Sequence, residues 1–287
     1  MKTIATIKEM NDWAKSHLLL GDSIGLVPTM GYLHEGHLSL VNKARHENDL
    51  VVTSIFVNPT QFGRNEDLSV YPRDPLGDSA KLEAAGVDVL FMPEADKLYG
   101  AGYETFVELE RLPLPLCGKS RPGHFRGVAT IVLKLFNIVQ PQRAYFGNKD
   151  YQQLQVIKKM VRDLNVNTGI IGCPIVRETD GLAMSSRNSY LSTTERKQAI
   201  CLYGALMVAR RLFASGESDS KVYIQAMRDK VMAEPEAVVD YISLVDRETL
   251  ENITIVSGDA LAVLAVKIGK TRLIDNMLLA ESASKNQ

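Results

Sequence analysis

No apolar run in this chain approaches the ~20 residues that a membrane span needs, and charge is scattered through Met1–Lys15 rather than flanking an apolar core. Neither membrane insertion nor a secretory leader is expected. Cysteine is scarce: Cys117, Cys173 and Cys201 stand far apart, odd in number and without metal-ligand spacing. That pattern argues against a disulfide framework and reads as reduced thiols in a cytoplasmic protein. Histidine is also scarce, five in all. Beyond one His-x-x-His pair there is no Cys or His cluster to hold zinc, so no protein-bound metal site is expected. Neither sign of charge dominates, with 33 basic against 34 acidic residues, which argues against a broad nucleic-acid surface. A Gly-x-x-x-x-Gly-Lys-Ser/Thr phosphate loop is absent and disfavours a P-loop kinase. There is no internal repeat and no low-complexity tract.

What is present is an alternation of strand-like and helix-like segments. The 287 residues, 45% hydrophobic and 23% charged, suit an ordinary globular protein of one large or two modest domains. Pattern and punctuation predict strands over Ile24–Val27, Leu50–Val57, Val87–Met92, Ala144–Phe146 and Val166–Val176. Helices are expected over Glu35–Glu47, Asp78–Ala85, Gly127–Val139 and Tyr151–Leu164. Leu50–Val57 is unbroken and apolar, as in a strand buried on both faces. The alternation implies an α/β fold, a Rossmann-like doubly wound parallel sheet. Beyond residue 176 the character changes. Ser192-Thr193-Thr194-Glu195 reads as a capping box opening one long helix through Leu212 that Gly216 ends, and a second helix spans Ser218–Met232. Strands follow over Val238–Val245 and Ala260–Ile268, the latter turning at Gly269-Lys270 into Arg272–Leu279 as a hairpin. We therefore expect residues 1–176 to form the Rossmann-like domain and residues 177–287 a smaller C-terminal α+β domain.

In doubly wound sheets ligands gather at the carboxyl ends of the strands, and four polar clusters fall at such ends. Val27 to His37 makes a strand-to-helix turn in which Pro28 and Gly31 break the strand and Gly36 allows close backbone approach. His34 and His37, three apart, share one side of the helix start, where free N–H groups favour phosphate. Zinc or ordinary surface placement are the competing readings of this pair. Asn58 and Gln61 follow the second strand as neutral amides able to hold hydroxyl or carboxylate groups, although Asn58-Pro59 would also serve a plain turn. Gly147, Asn148, Lys149 and Asp150 end a short strand; Lys149 suits phosphate, Asp150 suits a helix cap, and Gln153 lies one turn on. Last, Arg177 to Asn188 carries Met184, Ser185, Ser186 and Arg187 in a loop suited to clamp a polyphosphate. Arg121, His124 and Arg126 precede a helix without an evident role. Together the clusters propose an ATP site beside a neutral amide pocket for a small hydroxy acid.

His34-Glu35-Gly36-His37 resembles the His-x-Gly-His motif of the nucleotidyltransferase superfamily, which includes class I aminoacyl-tRNA synthetases. Met184-Ser185-Ser186-Arg187 resembles the Lys-Met-Ser-Lys-Ser loop of those enzymes. Over nearly its whole length the chain resembles the pantoate–β-alanine ligase (pantothenate synthetase) family. The resemblance is carried by Pro28 to His37, Phe56 to Phe62, Tyr71-Pro72-Arg73, Gly147 to Gln153 and Gly181 to Asn188. Tyr32, where Ala is usual, and Thr60, where Met or Leu is usual, depart from the commonest form and leave the polar positions intact.

That resemblance implies ligation through a pantoyl adenylate, with Mg2+ accompanying ATP, in a cytoplasmic homodimer. It implies that His34, His37, Lys149, Ser185 and Arg187 carry the catalysis, with His37 the proton donor. ATP would meet Met30, Gly31, His34, Gly36, His37, Gly147, Asn148, Lys149, Asp150, Val176, Met184, Ser185, Ser186 and Arg187. Gln61 and Gln153 would hold pantoate with help from Asn58, Gln61 would also lie near β-alanine, and the C-terminal domain would act as a lid. The rival is an adenylyltransferase of the same superfamily acting on a phosphorylated acceptor. Its pocket should carry extra Lys or Arg, where this one offers glutamines. A tRNA-charging enzyme would need an anticodon-binding region or a basic face, and neither is evident.

Overall fold

The structure is a computed structural model that describes residues 1–63 and 66–280. The chain separates into two compact units. The first comprises Met1–Leu114, Arg121–Asn148 and Gln152–Val176; the second comprises Pro115–Ser120, Lys149–Tyr151 and the chain from Arg177 onward.

The first unit opens with a strand and a helix that the sequence pattern does not announce, β1 (Lys2–Ile4) and α1 (Ile7–Leu20). Thr6 caps α1 through Glu9 N, and Gly21 closes it at φ 90°. Met10 and Ala14 are its only buried residues, too sparse an apolar stripe to register as a helical period. Then come β2 (Ile24–Thr29), α2 (Glu35–Glu47), β3 (Leu50–Ile55), α3 (Pro75–Ala84), β4 (Val89–Phe91) and the short α4 (Ala95–Leu98). After α5 (Cys117–Ser120), which belongs to the second unit, the first resumes with α6 (His124–Val139), β5 (Arg143–Gly147), α7 (Tyr151–Asp163) and β6 (Gly169–Cys173). All six strands are parallel, in the order β1-β4-β3-β2-β5-β6.

Chain order reverses between β2 and β5, so the switch point lies there. Those two strands pair only at Gly25 and Leu26. They part before Pro28, whose missing N–H therefore costs no ladder bond on that side. α2 packs on β2, β3 and β5, and α6 packs on β2 and α1. Val27, Leu40, Val41, Ala44, Val51, Leu82, Leu90 and Tyr145 form a core under α2 and α3.

In the second unit the long helix expected from Ser192 is broken in two, α8 (Thr193–Gln198) and α9 (Cys201–Ala214). The capping box is present, with Ser192 and Glu195 satisfying each other's backbone N–H. α10 (Ser220–Met232) precedes an antiparallel sheet of β7 (Ala237–Asp246), β8 (Ala260–Ile268) and β9 (Thr271–Leu278), with β8 central. β8 is buried along its length except at Lys267. Leu202, Leu206, Tyr223, Met227, Ala262, Leu264 and Val266 share one core there. Among the described residues no helix is long and apolar enough to cross a membrane.

Candidate active site

The turn after β2 is built so that its backbone donors are already engaged. Gly31 N donates to Thr29 Oγ1 (3.2 Å), and the two oxygens of Asp78 accept from Tyr32 N (2.7 Å) and Leu33 N (2.6 Å). His34 then caps α2: Gly36 N donates to His34 Nδ1 (3.1 Å), and His34 N donates to His37 Nδ1 (3.3 Å). The histidines thus take the places of Ser and Glu in a capping box,. Their rings lie 4.1 Å apart between centroids. The sequence suggested that open backbone N–H groups at this helix start would receive phosphate. Instead, the N–H groups of His34, Gly36 and His37 are bonded within the turn. An Nδ1 that accepts carries no proton, so each ring bears its hydrogen on Nε2. The donor left to each ring is therefore its Nε2–H group.

At the end of β3, Asn58 to Gln61 form a 3-10 turn whose amides order one another. Asn58 is buried, and all four of its bonding positions are used. Its Oδ1 accepts from Thr60 N and Thr60 Oγ1, and its Nδ2 donates to Gln61 Oε1 (3.1 Å) and Gly127 O (3.1 Å). Asn58 therefore orients the Gln61 amide. With Gln61 Oε1 held, its Nε2 points to Met30 Sδ at 3.0 Å. Thioether sulfur is a weak acceptor, so this amide N–H₂ suits an incoming carboxylate or hydroxyl oxygen. Gly127 is required for the arrangement, because a Cβ there would lie 2.4 Å from Thr60 O.

The Gln61 carbonyl is gripped from behind. His124 Nδ1 donates to it (2.9 Å), as does Arg121 Nη2 (3.3 Å). Arg121 Nη1 in turn donates to His124 Nε2 (3.1 Å), while Arg121 pairs with Glu66 through Nε (2.9 Å) and Nη2. Burial pushes the Glu66 carboxyl up, but Arg121 and His124 outweigh it and hold Glu66 below the usual carboxylate value. Arg126 lies 3.8 Å over the Phe106 ring.

β5 ends at Gly147, where a Cβ would meet nothing within 4 Å, so the position is open to a close neighbour. Asn148 follows, then Lys149 and Asp150, whose side chains approach to 3.8 Å. Gln153 and Val176 are half-buried and stand outside these networks.

Residues 2–278 match the family model described as pantoate-beta-alanine ligase. The chain belongs to the pantoate-beta-alanine ligase family. It is 58% identical over 279 residues to the pantothenate synthetase of Acetivibrio thermocellus, covering 97% of this chain and 99% of that one. The corresponding protein of Heliobacterium modesticaldum is 55% identical over the same shares. Among solved structures, pantothenate synthetase from Thermus thermophilus superposes with a TM-score of 0.93 at 46% identity, over 98% of this chain and 100% of that one. A Francisella tularensis pantoate-beta-alanine ligase, complexed with β-γ ATP and β-alanine, gives a TM-score of 0.84 at 38% identity over 99% and 100%.

In this family member, Lys149 and Asp150 group with the second unit, as does the Arg177–Asn188 loop. β9 anchors both segments. Asn276 Nδ2 donates to Lys149 O (2.9 Å), and Arg177 makes a two-pronged pair with Asp275, at 2.6 and 3.0 Å. Burial pushes the Asp275 carboxyl up against the opposing pull of Arg177. The loop begins as a tight hairpin in which Arg177 faces Ala183. Gly181 turns it at φ 95°, with a Cβ position only 2.0 Å from the Tyr203 ring. Met184 leads to Ser185, which caps the 3-10 turn Ser186–Tyr190 by accepting from Arg187 N (3.3 Å). Asp78, Glu66, Arg121 and His124 were not read from the sequence as parts of the site. Only the basic cluster of Arg121, His124 and Arg126 leaves a trace, and the Glu66 and Gln61 partners of Arg121 and His124 are 55 or more residues away.

Proposed function

We propose that this chain joins pantoate to β-alanine in an ATP-driven ligation that releases AMP and pyrophosphate through a pantoyl adenylate. The observation that carries the reading is the pair of self-capped histidines at the switch point: their Nδ1 atoms are committed to the turn, which makes Nε2–H the donor of each ring. Pantoate's carboxylate, ionised at neutral pH, forms a bond to the α-phosphorus while the bond to pyrophosphate breaks. Such a step needs charge stabilisation and alignment more than a base. We assign that stabilisation to His34 and His37, with His37 as proton donor, and to Lys149, Ser185 and Arg187. Met30, Gly31, Gly36, Gly147, Asn148, Asp150, Val176, Met184 and Ser186 complete the ATP contacts. Gln61 and Gln153 hold pantoate, with Asn58 setting the Gln61 amide. The neutral amine of β-alanine then attacks the acyl carbon of the adenylate and AMP leaves. Water must be kept out during that interval, a role we give to residues 177–287 as a lid over the Rossmann-like part, residues 1–176.

Among the described residues no group of three or more His, Cys, Asp or Glu side chains could hold a metal. We propose that Mg2+ accompanies ATP, where it would neutralise charge on the phosphates. A cytoplasmic homodimer is the setting we propose.

The test is ATP–pyrophosphate exchange with pantoate and no β-alanine. Exchange that requires pantoate, followed by equal yields of AMP and pantothenate once β-alanine is added, is the expected outcome. A folded, ATP-binding protein that shows no pantoate-dependent exchange would refute the substrate and turn attention to phosphorylated acceptors.

A further inference from the structure

Behind the histidine turn stands a device that the ligation reading does not use. Gly31 and Tyr32 both have positive φ, 83° and 52°. For glycine this is free; for tyrosine it is a sparsely populated, left-handed conformation. In this turn the successive N–H groups of Tyr32 and Leu33 point to one side, an arrangement that favours an anion. Here the anion is supplied by the protein itself. Asp78, on the first turn of α3 and 1% exposed, places one oxygen on Tyr32 N and the other on Leu33 N. One turn further along α3, Lys81 Nζ donates to Leu33 O at 2.7 Å. The space is tight: a Cβ on Gly31 would come within 3.1 Å of Asp78 Oδ2 and 3.0 Å of Ile55 Cγ2. Leu33 is the residue before the His34 cap, so whatever fixes its peptide fixes where the two imidazoles start.

We propose that Asp78 and Lys81 are positioning residues that lock the left-handed Gly31–Leu33 turn and thereby set the His34 and His37 rings. The carboxylate stabilises a backbone shape that Tyr32 would otherwise leave, and the Lys81 ammonium fixes the carbonyl of Leu33, whose N–H the carboxylate also holds. Neither residue touches the reacting atoms. The functional consequence rests on the phosphate role proposed above for the histidines.

The test separates the clamp from that role. Ring-nitrogen NMR of the free enzyme reports tautomers directly, and wild type should show two histidines with an accepting Nδ1 and a protonated Nε2. In D78N one carboxylate oxygen becomes an N–H₂ group facing a backbone N–H. The signature of both rings should broaden or shift while circular dichroism stays native. Pantoate-dependent exchange should fall about a hundredfold in kcat, as expected for a displacement of about 1 Å, and KM for pantoate should change less than about threefold. Replacing Tyr32 by glycine removes the conformational penalty. D78N/Y32G should therefore recover at least about tenfold over D78N, beyond the change that Y32G alone makes in wild type. A general loss of stability would not be relieved in this way. K81M should move the same signals less, and it serves if D78N does not fold. Unchanged ring signatures in folded D78N or K81M, or no coupling between positions 78 and 32, would overturn the clamp. Altered signatures with undiminished exchange would confirm the clamp and refute the phosphate role of the histidines.

Discussion

The turns that follow β2 and β3 sit at neighbouring strand ends of the same sheet, and each presents a polar side chain held from behind. They are held differently. After β2, the grip is on backbone N–H and C=O groups, through Asp78 and Lys81, and the turn keeps a left-handed tyrosine. After β3, the turn has ordinary geometry, and the grip is a chain of side chains running from Glu66 through Arg121 and His124 to the Gln61 carbonyl. A clamp on a strained backbone sets angles and fails through conformation. A relay of ionisable groups sets direction and fails through protonation.

The sharpest break between the two turns is expected from His37→Ala. Losing one N–H donor from a transition-state site lowers kcat by roughly 10²–10³, so pantoate-dependent exchange should fall by that factor while KM for pantoate moves only a few-fold. A comparable rise in KM would erase the division of labour between the turns. Next is Asn58→Ala, which frees the Gln61 amide and removes the acceptor of Thr60 N. The unsatisfied groups should cost about 1–3 kcal/mol in denaturant unfolding. KM for pantoate should rise about tenfold with kcat nearly unchanged, the signature of lost uniform binding.

The smallest effect belongs to Glu66→Gln, read as stability against pH. The native carboxyl titrates below its ordinary value of 4.5, so its contribution is present above that value and is lost as pH falls through the lower, folded one. Wild type should be the more stable at pH 7, and the gap to E66Q should close as pH drops below about 4.5. A gap that persists in acid would show that the relay works through shape rather than charge.

Much of this was legible locally. The bounds of α2 are legible because the strand-breaking Pro28 and Gly31 and the apolar stripe of Leu38, Val41 and Ala44 lie within one short stretch. The hairpin of β8 and β9 followed from Gly269-Lys270 between two apolar runs. Local signals also misled. Ser192 to Leu212 reads as one helix, because the break at Ala199–Ile200 leaves the helical period intact. β1 offered three residues with one buried, below any pattern threshold. The supporting residues of the site were illegible for a different reason. Asp78 looks like any first-turn acid, and its meaning lies in a turn 46 residues upstream. Asn58 and Gln61 were both visible, but only the folded amide network shows that one orients the other.

Two short excursions of the chain carry a consequence for heredity. Pro115–Ser120 and Lys149–Tyr151 are built into the second unit although they are encoded within the first. Cys117 Sγ meets the Tyr241 hydroxyl at 3.2 Å, Ser120 Oγ donates to Asp240, and Lys149 O receives Asn276. A gene cut at codon 177 would therefore deliver a sheet with its tyrosine uncovered and one strand missing its docking partner. The C-terminal part is not a cassette that recombination can lift out and graft elsewhere. Exchange between related genes has to carry these stitches along with it, which favours inheritance of the chain as one piece.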